Sequence, residues 1–473
     1  MLLVSFLLIP FLAALVLLFI KDNKTAQWIA IAFSVINLLC ALQIFGNAIP
    51  DFDAAWLSNV NSRFVLHSDG LSKILILLTA ISFPAIFIAT IKNDYKKRNV
   101  FLSLMFFTQA GLIGVFLAAD ALLFYFFWEL ALIPVYFLCS IWGGEKRIAI
   151  TFKFFIYTFL GSLLMLAGIL FLNAHTLDHS FLITSFTKAT LTPAQQTTAF
   201  LLFFIAFAIK MPLFPLHTWQ PDTYEQSPTA VTMVLSAVMV KMGLYGVIRW
   251  LLPLFPMAVQ GVSGWVVAVS VIGILYASFI AIRQDDLKRL IAYSSIAHIG
   301  LMNAALFSQH QIGVQGVLVQ LFSHGINVLG LWIVADIIEQ QTGTRSMQAM
   351  GGLAKKQPTL AILLVGFALA NIALPLTNSF VGEFLMFNSL FQFNVWAAAA
   401  AGVSIVLAAI YTLNMVQKVA YGEIGESIQK MTAPNKPAQA VLILLLLMVL
   451  ITGVYAQPLF TLTADTLHKL FVK

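Results

Sequence analysis

Six ionisable side chains occur inside long apolar stretches of this sequence. They are Glu129, Lys210, Lys241, His298, His324 and Glu383. We refer to these six residues as the ionisable row. An acid or a lysine at the centre of a membrane helix costs roughly 2.5–3.5 kcal/mol, so such residues ordinarily mark an ion or proton pathway. Because carboxylates, amines and imidazoles all exchange protons, these residue types predict proton transfer through a membrane interior.

The stretch from Ala206 to Gln220, AFAIKMPLFPLHTWQ, gives the strongest local signal. It begins as an apolar helix that carries Lys210, and prolines at 212 and 215 interrupt it. Proline removes a backbone donor, and the partial negative charge of a helix C-terminus favours a cation beside it. Broken helices at membrane depth are tolerated only where protein or water surrounds them. His217, just past the break, is expected to act as a relay or as a cap.

The composition indicates an all-α polytopic membrane protein. Of 473 residues, 60% are hydrophobic and only 10% are charged, and the mean hydropathy is +0.94. Apolar runs recur along the whole length, and no polar stretch is long enough to build a separate soluble core. The first run, Leu2 to Ile20, lacks a basic leader region and a small-residue cleavage site, so we expect a membrane helix there rather than a signal peptide.

About fourteen membrane segments are expected at roughly 20 residues each, two of them broken. They fall near 2–20, 26–46, 72–92, 99–119, 121–142, 151–173, 198–225 (broken), 228–251, 260–282, 288–308, 312–340, 358–392 (broken), 396–418 and 438–457. Of the 26 Lys and Arg residues, eighteen lie in loops after odd-numbered segments, six lie in the other loops and the C-terminal tail, and Lys210 and Lys241 are inside segments. The positive-inside rule then places the odd-numbered loops in the cytoplasm and both termini outside.

Five members of the ionisable row fall near mid-depth when each residue is given a helical rise of 1.5 Å. Glu129 and Lys210 lie about 12 Å and about 18 Å from the outer ends of their segments. Lys241 and His298 lie about 20 Å and about 15 Å from the inner ends, and His324 about 18 Å from the outer end. This shared depth predicts a hydrophilic row across the protein, parallel to the membrane plane.

The two broken segments are five segments apart, and an odd offset reverses the direction of a helix. This spacing predicts two inverted halves, as in many transporters. We expect one integral membrane domain over 1–473, with helices 1–3 in 1–98, a first inverted repeat of helices 4–8 in 99–251, a second of helices 9–13 in 252–418, and a loop with helix 14 in 419–473. Glu383 is expected in the first turn of the half-helix that resumes after the second break, where the helix dipole favours an anion.

Each candidate residue also has a purely structural alternative. Glu129 and Lys210 could form a buried ion pair without a transport role, although such pairs rarely exceed an apolar pair in stability. His298 and His324 could be hydrogen-bonded packing residues, and no metal site is expected because no further ligand stands at a suitable spacing. Carboxylates at segment ends are expected to be solvated or to cap helices. These are Asp120, Asp222, Asp336 and Glu339.

The sequence lacks the motifs of nucleotide and redox chemistry. It has no glycine-rich dinucleotide fingerprint after a strand, no Walker sequence and no haem or iron–sulfur signature. We therefore expect no cofactor, no redox centre and no nucleic-acid binding in this chain. A proton carrier without its own energy source must be driven by a gradient or by partner subunits.

Six motifs, in order along almost the whole chain, resemble the antiporter-like subunits of respiratory complex I. They are FWEL around Glu129, KMPLFPLHTWQPD from Lys210, SPTA from Ser227, KMGLYG from Lys241, DLKRLIAYSSIAH from Asp286 and FVGEF ending at Phe384. The resemblance implies a fourteen-helix fold with inverted five-helix repeats and a proton path across it. It also implies that Glu129 and Lys210 are the ion pair of the family, Lys241 its connecting lysine and Glu383 its exit-side residue.

The resemblance implies partners and a location as well. Two of the three related subunits carry lysine at the position of Glu383, and one of these is extended by a long lateral helix, so the third, with glutamate, is favoured. The expected partners are the L-like and N-like antiporter subunits and membrane lipid, with no soluble ligand beyond protons. The expected location is the bacterial inner membrane, with the mitochondrial inner membrane as the alternative. A subunit of a multisubunit sodium–proton antiporter or of a membrane-bound hydrogenase remains the alternative function.

Overall fold

The computed structural model describes residues 1–432 and 434–471 of this chain, so Lys473 lies outside the described residues. The expectation of an all-α polytopic membrane protein is confirmed. Within the described ranges, twelve helices are long and apolar enough to cross a membrane. Two further pairs of shorter helices occupy the positions of the predicted broken segments. The count of fourteen segments, the four-part division and the inverted repeats stay predictions.

The N-terminal part is an apolar helix pair followed by a small hairpin. Helices α1 (Leu2–Phe19) and α2 (Asn23–Gly46) leave most of their side chains outside the core, as lipid-facing helices do. An antiparallel hairpin of β1 (Phe52–Leu57) and β2 (Ser62–Leu66) follows, which the sequence reasoning did not predict. Helix α3 (Gly70–Ala89) then enters the middle of the bundle and is largely buried.

The next part contains the first broken segment. It consists of α4 (Arg98–Leu117), α5 (Ala121–Trp142), α6 (Arg147–Ala174), the single turn α7 (Ile183–Phe186), α8 (Pro193–Lys210) and α9 (Trp219–Gln226). A capping box between Thr192 and Gln195 begins α8, and the helix ends at Lys210, just before the first proline. The predicted break is therefore confirmed, with Lys210 as the last helical residue.

Helix α10 (Thr229–Leu254) crosses the bundle and is almost completely buried. It contains two π-helical turns, Leu235–Met239 and Val247–Leu251, on either side of the turn that carries Lys241. Gly243 lets α10 approach the break closely, because a Cβ atom there would lie 2.7 Å from the Phe207 carbonyl oxygen and 2.8 Å from the Met211 nitrogen. This contact sets the two lysine-bearing helices side by side.

The following part contains α11 (Pro256–Arg283), α12 (Leu287–Phe307), α13 (Gln311–Thr342), the single turn α14 (Leu353–Lys356), α15 (Pro358–Asn371), α16 (Asn378–Phe393) and α17 (Val395–Ala420). Helices α12 and α13 are almost completely buried, like α10. The second break lies between Asn371 and Asn378, as predicted. Glu383, however, is the sixth residue of α16 and not in its first turn, because the helix resumes already at Asn378. Its carboxylate is therefore stabilised by neighbouring side chains and not by the dipole at the helix N-terminus.

The C-terminal part adds the single turn α18 (Glu426–Gln429), α19 (Lys436–Val454) and α20 (Gln457–Phe471). Helix α20, which was predicted only as a tail, packs against α3 and α13 with its buried face. The contact with α3 is close, because a Cβ atom on Gly70 would lie 2.1 Å from the Leu462 carbonyl oxygen. The C-terminal helix is thus an integral part of the bundle.

Candidate functional site

Lys210 is buried and Glu129 is half-buried, and each carries a buried polar atom without a partner. Within the described residues, neither Lys210 Nζ nor Glu129 Oε1 has a hydrogen-bond partner. The Lys210 ammonium instead lies 5.4 Å from the ring centroid of Trp128, the neighbour of Glu129. The two groups are near enough to act on each other electrostatically. They therefore interact electrostatically without forming a direct salt bridge.

The end of α8 is arranged to favour the Lys210 cation. The Met211 nitrogen still donates to the Phe207 carbonyl at 2.8 Å, which ends the helical ladder. The carbonyl of Ile209 accepts a hydrogen bond from the Trp219 indole at 2.9 Å, which ties the resumed half-helix to the first half. Lys210 is the last residue of this helix, and the partial negative charge of a helix C-terminus favours a cation in the last turn.

Lys241 makes two direct polar contacts in the centre of the bundle. Its Nζ donates to the Ser236 carbonyl at 2.6 Å, inside the π-helical turn that precedes it. The same atom lies 3.0 Å from His324 Nδ1 on α13. π-Helical turns within α-helices occur frequently at functional sites, since they shift the helical register and turn side chains to a new face.

His324 continues the contact to the second broken segment. The rings of His324 and His298 are 5.5 Å apart between centroids. His298 Nδ1 lies 3.1 Å from Glu383 Oε1, and Gln320 Nε2 donates to the same carboxylate oxygen at 3.3 Å. Beside His298 and Glu383 there is a cavity of about 20 Å³, which is room for one water molecule. Four residues on four helices thus form a continuous half of the ionisable row.

His217 stands apart from the rest. Its ring packs against Phe214 and Tyr276, at 5.7 Å and 5.2 Å between centroids. Its Nδ1 atom is buried without a hydrogen-bond partner in the described part of the chain. The structure does not bring this histidine into contact with the six residues of the row, so its relay role stays a prediction.

Sequence reasoning missed several amides and hydroxyls that surround the row. Asn327 Nδ2 donates to Ser379 Oγ at 2.8 Å, and Gln320 approaches the same hydroxyl at 3.4 Å. A signal existed, because Gln320, His324 and Asn327 are spaced i, i+4 and i+7 on one face of α13. These groups give polar surroundings to the histidine and carboxylate members of the row.

A second set of missed groups lies between Lys210 and Lys241. Gln220, Tyr224 and Ser236 are completely buried, and each has a side-chain polar atom without a partner among the described residues. The Tyr224 hydroxyl lies against the side chains of both other residues. Because Lys241 binds the carbonyl of Ser236, this set connects the first break with the continuous half of the row.

The expectation for carboxylates at segment ends is correct for Asp120 and wrong for Asp336. Asp120 caps α5 by accepting from the nitrogens of Leu122 and Leu123 at 3.0 and 3.1 Å. Burial raises the pKa of this carboxyl, in spite of these bonds. Asp336 is only 3% exposed, because the amide of Asn93, in the loop between α3 and α4, covers it.

Asp222 and Glu339 are not freely solvated either, since both are held in ion pairs. Asp222 binds Lys153 at 2.8 Å and Arg289 at 3.1 Å, which ties α9 to α6 and α12. Glu339 binds the buried Lys288 at 2.5 Å. These pairs lie at the face of the bundle that carries the odd-numbered loops.

Known proteins resemble this chain over its whole length. A model of the family described as NADH:quinone oxidoreductase/Mrp antiporter matches residues 118–409. NADH-quinone oxidoreductase subunit M of Rhodobacter capsulatus is 38% identical over 452 residues, which cover 92% of this chain and 88% of the relative. The subunit M of Escherichia coli (strain K12) is 34% identical over 470 residues, which cover 94% and 92%.

A solved structure agrees with these relatives. A chain of respiratory complex I from Thermus thermophilus with bound NADH matches with a TM-score of 0.90 and 29% identity, over all of both chains. The resemblance seen in the six motifs is confirmed by all of these comparisons. The chain belongs to the NADH:quinone oxidoreductase/Mrp antiporter family, within its subunit M branch.

Proposed function

We propose that this chain translocates protons outward across the membrane, as a subunit of an NADH:quinone oxidoreductase whose redox chemistry takes place in partner subunits. The observation that carries the proposal is the continuous series of titratable groups Lys241, His324, His298 and Glu383. Such a series has no evident value for stability, because buried ionic groups seldom stabilise a protein more than apolar residues in the same place would. It has an evident value for moving a proton in steps of a few ångströms.

The interaction between Glu129 and Lys210, which are not in direct contact, controls the first proton-transfer step of this mechanism. When the glutamate charge is close, it stabilises the Lys210 ammonium against desolvation. When the glutamate withdraws, the desolvated ammonium loses its proton more readily. The proton then moves past Gln220, Tyr224 and Ser236 to Lys241.

From Lys241 the proton moves along the continuous half of the row. The Nζ and Nδ1 atoms of Lys241 and His324 share one buried site, where two positive charges 3.0 Å apart would repel strongly. A proton that arrives on one of them therefore favours release from the other. His298 takes it next, and Glu383 delivers it to the outer side.

The direction of transport requires an external source of energy. Moving one charge against the membrane potential costs about 2.3 kcal/mol per 100 mV. The relatives are subunits of NADH-quinone oxidoreductase, and the matching structure is a respiratory complex. The redox reaction of such an assembly supplies this energy, with L-like and N-like antiporter subunits as neighbours. We place the assembly in a bacterial inner membrane with both chain termini on the outer side.

The test is proton pumping by the assembled complex after Lys210→Ala. We expect NADH-driven acidification to be abolished in reconstituted vesicles, while the complex still assembles. The matched control is Lys355→Ala, which removes an exposed lysine. Full pumping stoichiometry with Lys210→Ala would overturn the proposal.

A sodium–proton antiporter assembly is the second candidate, because the family description also names the Mrp antiporters. The composition and the ion exchange of the purified assembly distinguish the two candidate functions. Copurification with NADH dehydrogenase subunits supports the first function, and sodium exchange in their absence supports the second.

A further inference from the structure

A charged cleft opens at the face that the proposed orientation places in the cytoplasm. Its volume is about 630 Å³, and it lies where five odd-numbered loops meet. Lys288, Glu339 and Arg345 line it together with Tyr95 and Thr229. None of these residues belongs to the ionisable row.

Two carboxylates lead from this cleft into the bundle. Glu339 is partly exposed in the cleft, where it binds Lys288 Nζ at 2.5 Å. Asp336 precedes it by three residues on the same face of α13, about 4.5 Å deeper at 1.5 Å per residue. The Thr229 hydroxyl lies between the two acids and donates to Glu339 Oε2 at 3.4 Å. A proton that reaches Glu339 therefore has a buried carboxylate one step further in.

Hydroxyl groups continue the path along α10. Thr229, Thr232 and Ser236 are spaced i, i+3 and i+7, so they lie on one face of the helix. Steps of about 4.5 and 6 Å separate them along the axis, and one intervening water bridges such a distance. At the inner end, Ser236 Oγ and the Tyr224 hydroxyl are fully buried and unpartnered within the described ranges.

The path ends at the central lysine. The Lys241 ammonium donates a hydrogen bond to the Ser236 carbonyl at 2.6 Å, so the residue that carries the last hydroxyl also contacts the ammonium through its backbone. Trp332, one turn below Asp336, packs edge-on against the Tyr224 ring at 5.8 Å and closes the side of the path toward α13.

We propose that the cleft is the proton uptake site of this chain and that Asp336 is the carboxylate that delivers protons to Ser236 and Tyr224, the hydroxyls between Lys210 and Lys241. The inference rests on the proposed function and adds the side and the residues through which protons enter. Asp336 is oriented by the Asn93 amide, which contacts both carboxylate oxygens at 3.2 and 3.0 Å. Lys288 holds the outer carboxylate, Glu339, in an ion pair, and Asp336 passes the proton inward by way of Thr229, Thr232 and Ser236.

The test compares Asp336→Asn with the unaltered complex in vesicles, at high pH on the uptake side, where protons are scarce. Asparagine keeps the shape and one acceptor oxygen for the Asn93 amide but binds no proton. We expect NADH-driven proton pumping to fall by roughly a hundredfold, the lower end of the range for lost proton-transfer groups. Added small weak acids, such as formic or acetic acid, are expected to restore it, because they can deliver protons in the cleft. Glu423→Gln, which removes an exposed carboxylate on the same face, is the control with unchanged pumping.

Unchanged pumping in Asp336→Asn, or a loss that weak acids do not restore, would overturn the inference. Ser236→Ala is a second variant that should fold normally, because its hydroxyl has no partner among the described residues. We expect it to slow pumping by roughly tenfold under the same conditions. Lys210→Ala distinguishes the two levels: if it abolishes pumping while Asp336→Asn does not, the proposed function stands and this uptake site is wrong.

Discussion

The Nζ atom of Lys241 lies 3.0 Å from Nδ1 of His324, and the same nitrogen donates to the Ser236 carbonyl. A lysine and a histidine at this distance in a buried site hold one proton between them far more easily than two. The pair is thus suited to receive a proton from one side and release it on the other. It joins the helix beside the first break with the helices around the second.

Replacing His324 by glutamine tests this junction. Glutamine retains hydrogen-bonding groups but takes up no proton, so we expect proton pumping by the assembled complex to fall by roughly 10²-fold. His468→Gln on the exposed face of α20 is the matched control, with pumping unchanged. Normal pumping by the His324 variant would mean that the imidazole only fills space.

Glu129→Gln and Lys210→Met, alone and together, test whether these two residues act as a unit. Because loss of Lys210 is expected to abolish pumping, Glu129→Gln alone should lower pumping as strongly if the two groups work as a unit, and the double variant should add nothing further. Lys355→Met with Glu423→Gln, an exposed ion pair, provides the control cycle with no coupling. Losses that multiply would show that the two residues act in separate steps.

Gly243→Ala tests the close approach between α10 and the break. The added methyl group would lie 2.7 Å from a backbone oxygen and 2.8 Å from a backbone nitrogen, so the helices must separate. We expect a loss of about 1–3 kcal/mol in stability, as for other overpacked sites, and slower pumping. Gly402→Ala, a helical position with nothing within 4 Å, should leave thermal unfolding of the purified complex unchanged or slightly improved.

Asp69→Asn tests a buried ion pair at the start of α3. Asp69 Oδ1 binds Arg249 Nη2 at 2.5 Å, and both side chains are mostly buried. Although burial alone would raise it, the Arg249 guanidinium holds the pKa of Asp69 well below its usual range. The contribution of the pair to stability is therefore complete at neutral pH and is lost only as the pH falls below the ordinary aspartate range.

In the Asp69 variant the Arg249 charge stays buried without its partner, so we expect a loss of about 3–5 kcal/mol in the free energy of unfolding. Asp53→Asn, which breaks the exposed pair with Arg63, should cost less than about 1 kcal/mol. Thermal unfolding in detergent at neutral pH measures both. Equal losses in the two variants would show that burial does not strengthen the Asp69 pair.

The features that could be predicted from the sequence are those with a local physical cause. The break after Lys210 follows from two prolines, and the membrane segments follow from the length of the apolar runs. The contact of His298 with Glu383 depends on which helix faces meet, and no single helix reveals this. The burial of Asp336 was missed for the same reason, because its cover, Asn93, comes from a distant loop. Glu383 lies one turn further into its helix than predicted, because α16 already begins at Asn378.

Helix α13 runs through the whole thickness of the protein as one rod of 32 residues. It carries Glu339 and Asp336 near one end and His324 near the middle. Gln320, which donates a hydrogen bond to Glu383, lies one turn further toward the other end. A rocking of this rod by only 5° about its centre would shift its two ends by about 2 Å in opposite directions, given a length of about 48 Å. A movement of α13 that opens the proton path at one face of the protein would therefore close it at the other face.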